Sequence, residues 1–187
     1  MCSSVLEALR GWEGPNVGRV HVTVVAGDHG VVEEGISALP QAVTAEMVKN
    51  FARGGAAISV AARSIGAEIE VINLGTAFDT GQLDGVKDYR LGPGTANFTR
   101  EPAMSGHQLS LAMSAGRHAA ERARLSGAHL FIGGEMGIGN TTAASALACT
   151  LLDAAPERLA GPGTGLEKHQ TKKSNQTKKK TKNTLII

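Results

Sequence analysis

HLFIGGEMGIGNTTAASALACTLL, His129–Leu152, decides how this chain folds. His129–Glu135 is a short apolar run ending in two glycines and an acid, which reads as a strand. Asn140 reads as the N-cap of a helix through TTAASALACTLL, whose apolar and small residues recur at helical spacing. Gly137-Ile138-Gly139 joins the two. A strand that feeds a glycine loop straight into a helix is the repeating unit of a parallel α/β sheet.

The rest of the chain repeats that unit. RVHVTVVAG (Arg19–Gly27) alternates and then runs apolar and β-branched into glycine, so it reads as a buried strand. Residues 28–42 read as a loop broken by Gly30, Gly35 and Pro40. Thr44 is the expected N-cap of a helix with Met47, Val48 and Phe51 on one face, ended by Gly54-Gly55. AAISVAARSIGA makes a second helix ending near Gly66. EIEVINLG (Glu68–Gly75) is the next strand. Residues 76–104 are polar and rich in Gly and Pro, a connection long enough to close over something. Ser105 with Gln108 has the pattern of a capping box, and Leu109, Met113, Gly116 and Ala120 line one side of the helix that follows, to about Leu125.

Strands alternating with helices imply right-handed crossovers and a parallel sheet covered by helices on both faces. Ligands of such sheets bind beyond the carboxyl ends of the strands. Here those ends are Asp28-His29-Gly30, Asn73-Leu74-Gly75 and the Gly133–Asn140 loop.

Composition agrees with this class. The chain has 187 residues, 24 of them Gly, and only 3 % aromatic residues, so Ala, Val, Leu and Ile must build the core. Of 19 basic and 17 acidic side chains, seven Lys and one Glu fall in residues 167–187, leaving 12 bases against 16 acids before them. Residues 1–19 read as an N-terminal extension, 20–166 as the α/β domain, and 167–187 as a solvated, disordered Lys-rich tail. A basic tail on an acidic body does not make a nucleic-acid enzyme. Cys2 and Cys149 fit no metal or redox spacing, so no metal site is expected and a reducing compartment is. No run reaches the length of a membrane span and no secretory leader is apparent, which predicts a cytoplasmic protein without membrane contacts.

Chemistry collects at the strand ends. The loop before a helix offers backbone amides backed by the positive end of the helix dipole, and glycine lets an anion come close. It lacks the Gly-Lys-Ser/Thr of a Walker loop and has Thr142 where a dinucleotide fingerprint has its third glycine. By spacing alone, Gly137–Thr141 suits a phosphate as well as it suits a tight turn capped by Asn140. Glu135 is better matched to sugar hydroxyls than to phosphate. Gly161–Gly165 (GPGTG) is a second loop rich in amides. Asp28 and His29 stand at a strand end, where His29 either meets a ligand or caps a neighbouring loop. His21, His107, His118 and His129 have no cluster around them and read as structural.

GDHGVVEEGISALPQAVTAEMVKNFARGGAAISVAAR, GEMGIGNTTAASAL and GPGTGL, in this order, resemble the nicotinate-nucleotide–dimethylbenzimidazole phosphoribosyltransferase family from about Val20 to Leu166. The resemblance implies a Rossmann-like fold, here incomplete relative to the family, and a homodimer. It implies transfer of phosphoribose from nicotinate mononucleotide to 5,6-dimethylbenzimidazole, giving α-ribazole phosphate and nicotinate for the lower ligand of cobalamin, with no cofactor. Gly137, Ile138, Gly139, Asn140 and Thr141 would then sit at the donor phosphate, with Glu135 near the ribose. Gly163, Thr164 and Gly165 would close the donor site, and Ser37–Gln41, with Ser37, Leu39 and Gln41, would border the benzimidazole. Leu39 stands where family members often carry an aromatic residue. The family's general base is a glutamate of its C-terminal part; nothing after Leu166 resembles that part, so no catalytic residue is assigned and little turnover is expected.

Overall fold

Four parallel strands stand in the order β3-β2-β1-β4. The computed structural model describes residues 17–159. Strand β1 (Val20–Gly27) lies between β2 (Glu68–Gly75) and β4 (Leu130–Met136), pairing in parallel with each. Its β-branched residues, buried on both faces, are the reason for its central place. A 3-10 helix (Gly30–Glu34) follows it, then α1 (Ala42–Ala52) and α2 (Ala57–Ser64). After β2 come β3 (Val86–Asp88), α3 (Gly106–Leu125), β4, α4 (Asn140–Leu151) and the single turn α5 (Pro156–Leu159).

The period-two alternation of β1 sorts its side chains. Val22, Val24 and Ala26 face α1 and α2, and pack with Val71, Val48, Phe51 and Ala56. The other face holds His21, Thr23 and Val25, opposite Glu68, Glu70 and Ile72 of β2. Arg122 of α3 reaches this face and grips Glu70 through Nε and an amino nitrogen, at 2.9 and 3.0 Å. Thr23 Oγ1 donates to the same carboxylate at 2.9 Å. His21, buried against Phe131, has its ring nitrogens 3.2 Å from Glu68 and 3.6 Å from Glu70. Helices therefore lie on both faces around β1 and β2, as the element order implies, while Leu130, Phe131 and Ile132 of β4 stay exposed.

Burial pulls the Glu70 pKa upward, but the bonds from Arg122, Thr23 and His21 and the Arg122 charge outweigh it and hold it below the ordinary value. A lowered carboxylate pKa gives stability above the unfolded pKa that is lost as pH falls through the folded one. Glu70→Gln is accordingly expected to cost about 2 kcal/mol at neutral pH, less than a fully buried broken pair because Arg122 keeps some solvent. The deficit should shrink in acid. Urea melts of both proteins at neutral and acid pH check this; a deficit independent of pH would remove the ionic argument.

Several local expectations need correction. The 76–104 connection contributes β3, whose three residues are too few to show a period; they pair with Val71–Asn73. Helix α1 begins at Ala42 with Gln41 as its cap, so Thr44 is inside the first turn. A turn at Pro40, whose carbonyl accepts from Val43 N, leads directly into the helix. Asn140 is not the cap of α4: Gly139 is, at φ +93, and Asn140 is the first helical residue without a side-chain capping bond. On α3 the buried stripe is Ala115, Ala119 and Ala123, while Met113 is 69 % exposed. Small side chains let α3 lie close to the polar face, where a methionine would not fit. The Ser105–Gln108 capping box is present as read.

Candidate functional site

Asp28 follows the last residue of β1 and ties the strand ends together. It is buried. Its amide donates to Gly75 O at the end of β2, and its carbonyl accepts from Thr95 N, both at 2.9 Å. Its carboxylate accepts from Thr44 Oγ1 at 2.6 Å and from Ala77 N at 2.9 Å. The Thr44 oxygen in turn accepts from Ile138 N at 3.1 Å. One side chain thus links β1, the loop after β2, α1 and the glycine loop after β4. Burial pushes the Asp28 pKa above the ordinary carboxylate value, partly countered by donors from Thr44, Ala77 and Ile138.

The glycine loop is pressed onto this hub. A Cβ on Gly137 would collide with the carbonyl oxygen of Gly27 and come within 3.3 Å of His29 Cδ2. Gly139 needs its left-handed φ, and a Cβ there would come within 2.8 Å of Val32 Cγ2. These two glycines turn the chain from β4 into α4 in direct contact with β1 and the 3-10 helix.

The loop's amides are not all available. Ile138 N is held by Thr44, Asn140 N by Gly137 O, and the amides of Thr142 and Ala143 by Gly139 O. The amides of Gly139 and Thr141 make no hydrogen bond among the described residues. They open at the positive end of a helix of 12 residues, beside the hydroxyl of Thr141 and the side chain of Asn140. An anion can be received there. Ile138 serves by fixing the loop rather than by lending its amide.

Glu135 lies two residues earlier, exposed, in register with Val25 on the α3 face of the sheet. His29 sits beside Gly137, and burial holds its imidazole below its ordinary pKa, so the ring is neutral at pH 7. Its carbonyl accepts from Gln41 Nε2 at 3.3 Å. Ser37 Oγ accepts from Leu39 N at 3.1 Å and donates to Leu39 O at 3.0 Å, folding a tight turn that leaves Leu39 47 % exposed.

The structure therefore gathers Asp28, His29, Gln41, Gly137, Ile138 and Gly139 into one cluster, with Asn140 and Thr141 at its open end. Ser37 and Leu39 form a turn at its margin. Gly163, Thr164 and Gly165 lie outside the described residues. Thr44, Ala77 and Thr95 were not anticipated.

The long connection runs across these strand ends. Thr95 accepts from Gly30 N at 3.0 Å, and Ala96 N donates to Ala103 O. A groove of about 540 Å³ borders it, lined by Pro93, Thr95, Glu101, Met104, Ser105 and Gln108. Arg100 reaches back to Glu33 and Glu34 at 2.8 and 3.3 Å, holding the connection over the 3-10 helix. Among the described residues, no cluster of three or more His, Cys, Asp or Glu is placed to share a metal ion, and no helix is long and apolar enough to cross a membrane.

The sequence matches a family model described as phosphoribosyltransferase over residues 3–181. The chain belongs to this family. The phosphoribosyltransferase match runs beyond both ends of the 20–166 unit, and past Leu166, where the motifs show no likeness. Relatives named nicotinate-nucleotide–dimethylbenzimidazole phosphoribosyltransferase are 62 % identical in Pseudomonas aeruginosa and 60 % in Pseudomonas putida. Each aligns over 162 residues, 87 % of this chain and 46 % of the relative. The crystal structure of CobT from Thermus thermophilus superposes with a TM-score of 0.91 at 43 % identity, over 97 % of this chain and 54 % of that one. The chain thus spans about half the length of the phosphoribosyltransferases it matches.

Proposed function

We propose that residues 20–166 form the donor-binding part of a phosphoribosyltransferase that moves phosphoribose from nicotinate mononucleotide to 5,6-dimethylbenzimidazole, in the cytoplasm and as a homodimer. The observation that carries the reading is the pair of open amides, Gly139 and Thr141, at the start of α4, with an exposed acid at the end of the strand that leads into it. The amides, helix dipole and Thr141 hydroxyl suit the phosphate of the mononucleotide. The carboxylate oxygens of Glu135, as hydrogen-bond acceptors, suit the ribose hydroxyls. His29, held neutral, and the exposed Leu39 would face the aromatic ring, with Gly163, Thr164 and Gly165 completing the donor site.

The chemistry asks little at the departing side. Nicotinate leaves a pyridinium-type glycosidic bond as a neutral ring nitrogen and needs no proton donor. What remains is to align acceptor and donor across the anomeric carbon and to take a proton from the attacking imidazole. The family's base for that proton is a glutamate in the part that this sequence does not match. The 187 residues alone are therefore expected to hold nicotinate mononucleotide only at about millimolar affinity and to turn over little or not at all.

Amide shift mapping with nicotinate mononucleotide tests the binding claim: at about 10 mM, Gly139 and Thr141 should move most, and Glu135→Ala should weaken the effect by roughly ten-fold, the loss of a hydrogen bond to a charged group. Shifts confined to other regions would dispose of the assignment. Chromatography for α-ribazole phosphate tests the second claim, which turnover matching that of a full-length relative would refute.

A further inference from the structure

The 3-10 helix Gly30–Glu34 lies between the long connection and the first turns of α4. A 3-10 helix of five residues cannot hold a position by its own hydrogen bonds, so its neighbours must hold it. On the α4 side, Val31 is buried in a small core with Ile36, Phe98 and Ala146, and Val32 and Ala143 pack against the same cluster. Gly139, the cap of α4, lies so near that a Cβ on it would come within 2.8 Å of Val32 Cγ2 and 3.6 Å of Val31 Cγ1. The start of α4 therefore rests on Val31 and Val32.

On the other side the contact is backbone against backbone. A Cβ on Gly30 would come within 2.6 Å of Thr95 O and 2.7 Å of Asn97 N. Glu34 fastens this contact. Its side chain is 20 % exposed, and one carboxylate oxygen accepts from Asn97 Nδ2 at 2.9 Å. Thr99 Oγ1 and an Arg100 amino nitrogen stand 3.2 and 3.3 Å from that same oxygen. Asn97 is itself buried, and its own oxygen takes the Thr99 amide at 3.1 Å. Both ends of that side-chain amide are thus committed, and Glu34 is the acceptor for its nitrogen. Arg100 is 63 % exposed, so its ion pairs add little beside the buried bond.

The structure assigns Glu34 as a positioning residue for the anion-receiving end of α4. It acts at one remove: Glu34 holds the 3-10 helix, and the 3-10 helix sets where Gly139 turns. Thr44 fixes the loop from the opposite side through Ile138 N. With Glu34 cut back, Asn97 Nδ2 loses its acceptor and the connection can part from the 3-10 helix. Val31 and Val32 then lose their fixed place against Gly139, and the open amides of Gly139 and Thr141 no longer converge on one point. The damage should stay local. The cluster around Val31 shares no residue with the larger core of Val22, Val24 and Val71, so the two can loosen separately. The effect on binding rests on the donor-phosphate reading; the effect on order rests on packing alone.

Hydrogen exchange and ligand titration test it in the full 187-residue chain, as the parent, Glu34→Ala and Glu34→Gln. In Glu34→Ala the amides of Thr142 and Ala143, both bonded to Gly139 O, should exchange about ten-fold faster while β1 and β2 keep the parent rates. The dissociation constant for nicotinate mononucleotide, read from the Gly139 and Thr141 shifts, should rise about ten-fold in the same variant. Glu34→Gln keeps an oxygen for Asn97 Nδ2 and gives up only the charge, so both readings should return to within about three-fold of the parent. Three results overturn the proposal: parent-like exchange at Thr142 and Ala143 in Glu34→Ala, acceleration spread equally over β1 and β2, or Glu34→Gln as damaging as Glu34→Ala. If the parent itself shows no shift with nicotinate mononucleotide, the donor reading falls instead, and the exchange comparison alone decides for or against Glu34.

Discussion

Gly137→Ala is expected to destabilise the protein by about 3 kcal/mol and to abolish whatever affinity it has for a phosphorylated ligand. The added methyl would be driven into the carbonyl oxygen of Gly27, a backbone atom at the end of the central strand, with His29 Cδ2 only 3.3 Å away on another side. No flexible side chain can give way. The end of β4 must instead move off β1, and the bond from Ile138 N to Thr44 Oγ1 breaks with it. That bond aims the loop, so the amides of Gly139 and Thr141 lose their shared direction. Gly133→Ala, four residues earlier, is the control: its methyl would lie 3.8 Å from Phe131 Cε1, ordinary contact, and should leave urea stability within about 0.5 kcal/mol of the parent or raise it. If both substitutions behave alike, the strand ends do not touch as described.

The difference between those two glycines was not readable from the sequence, where both belong to one Gly-rich run. What was readable followed from periodicity over enough residues. Eight-residue β1 and β2 announce themselves by β-branched content, and α3 by its capping box. Three residues of β3 cannot show a period, and its pairing comes from the turn that lays Val86 against Val71. Asn140 was misplaced by one position because a capping preference cannot compete with a left-handed glycine that has already turned the chain. The stripe of α3 is not legible in the sequence because helical spacing stands out through large apolar residues, and its buried residues are alanines. The face that α3 covers is polar, with Glu70 and His21, and takes alanines around a partly buried ion pair.

The candidate site divides in the same way. Gly137, Gly139 and Thr141 were found because a strand–glycine–helix junction is a local pattern with a local meaning. Thr44 was not, because its role depends on Asp28, 16 residues before it, and Ile138, 94 residues after it. Only the fold brings the three together. Leu39 and Ser37 show the converse: a motif placed them in the site, while their bonds in this structure are to each other.

Asp28→Ala should cost at least about 3 kcal/mol and disorder the same loop from the opposite side. Removing the carboxylate leaves the Thr44 hydroxyl and the Ala77 amide, both directed at it, without an acceptor. Asp28→Asn is expected to fall between the two, since its single carbonyl oxygen can satisfy Ala77 while its amide nitrogen forces Thr44 to accept instead of donate. The pH dependence separates this hub from an ordinary structural contact. The folded pKa of Asp28 is raised, so the native state holds a proton over a range where the unfolded chain has released it. Stability from this group therefore grows as pH falls through the folded pKa toward 3.8, and the ionised form is the costlier one at neutral pH. The gap between the parent and Asp28→Ala should widen on acidification, opposite in sign to the narrowing expected for Glu70→Gln. Urea melts of the parent and all three variants at about pH 7 and about pH 4.5 read both signs in one series. A gap for Asp28→Ala that narrows in acid would mean that donors outweigh burial at this carboxylate, and that the strand ends are held by its charge.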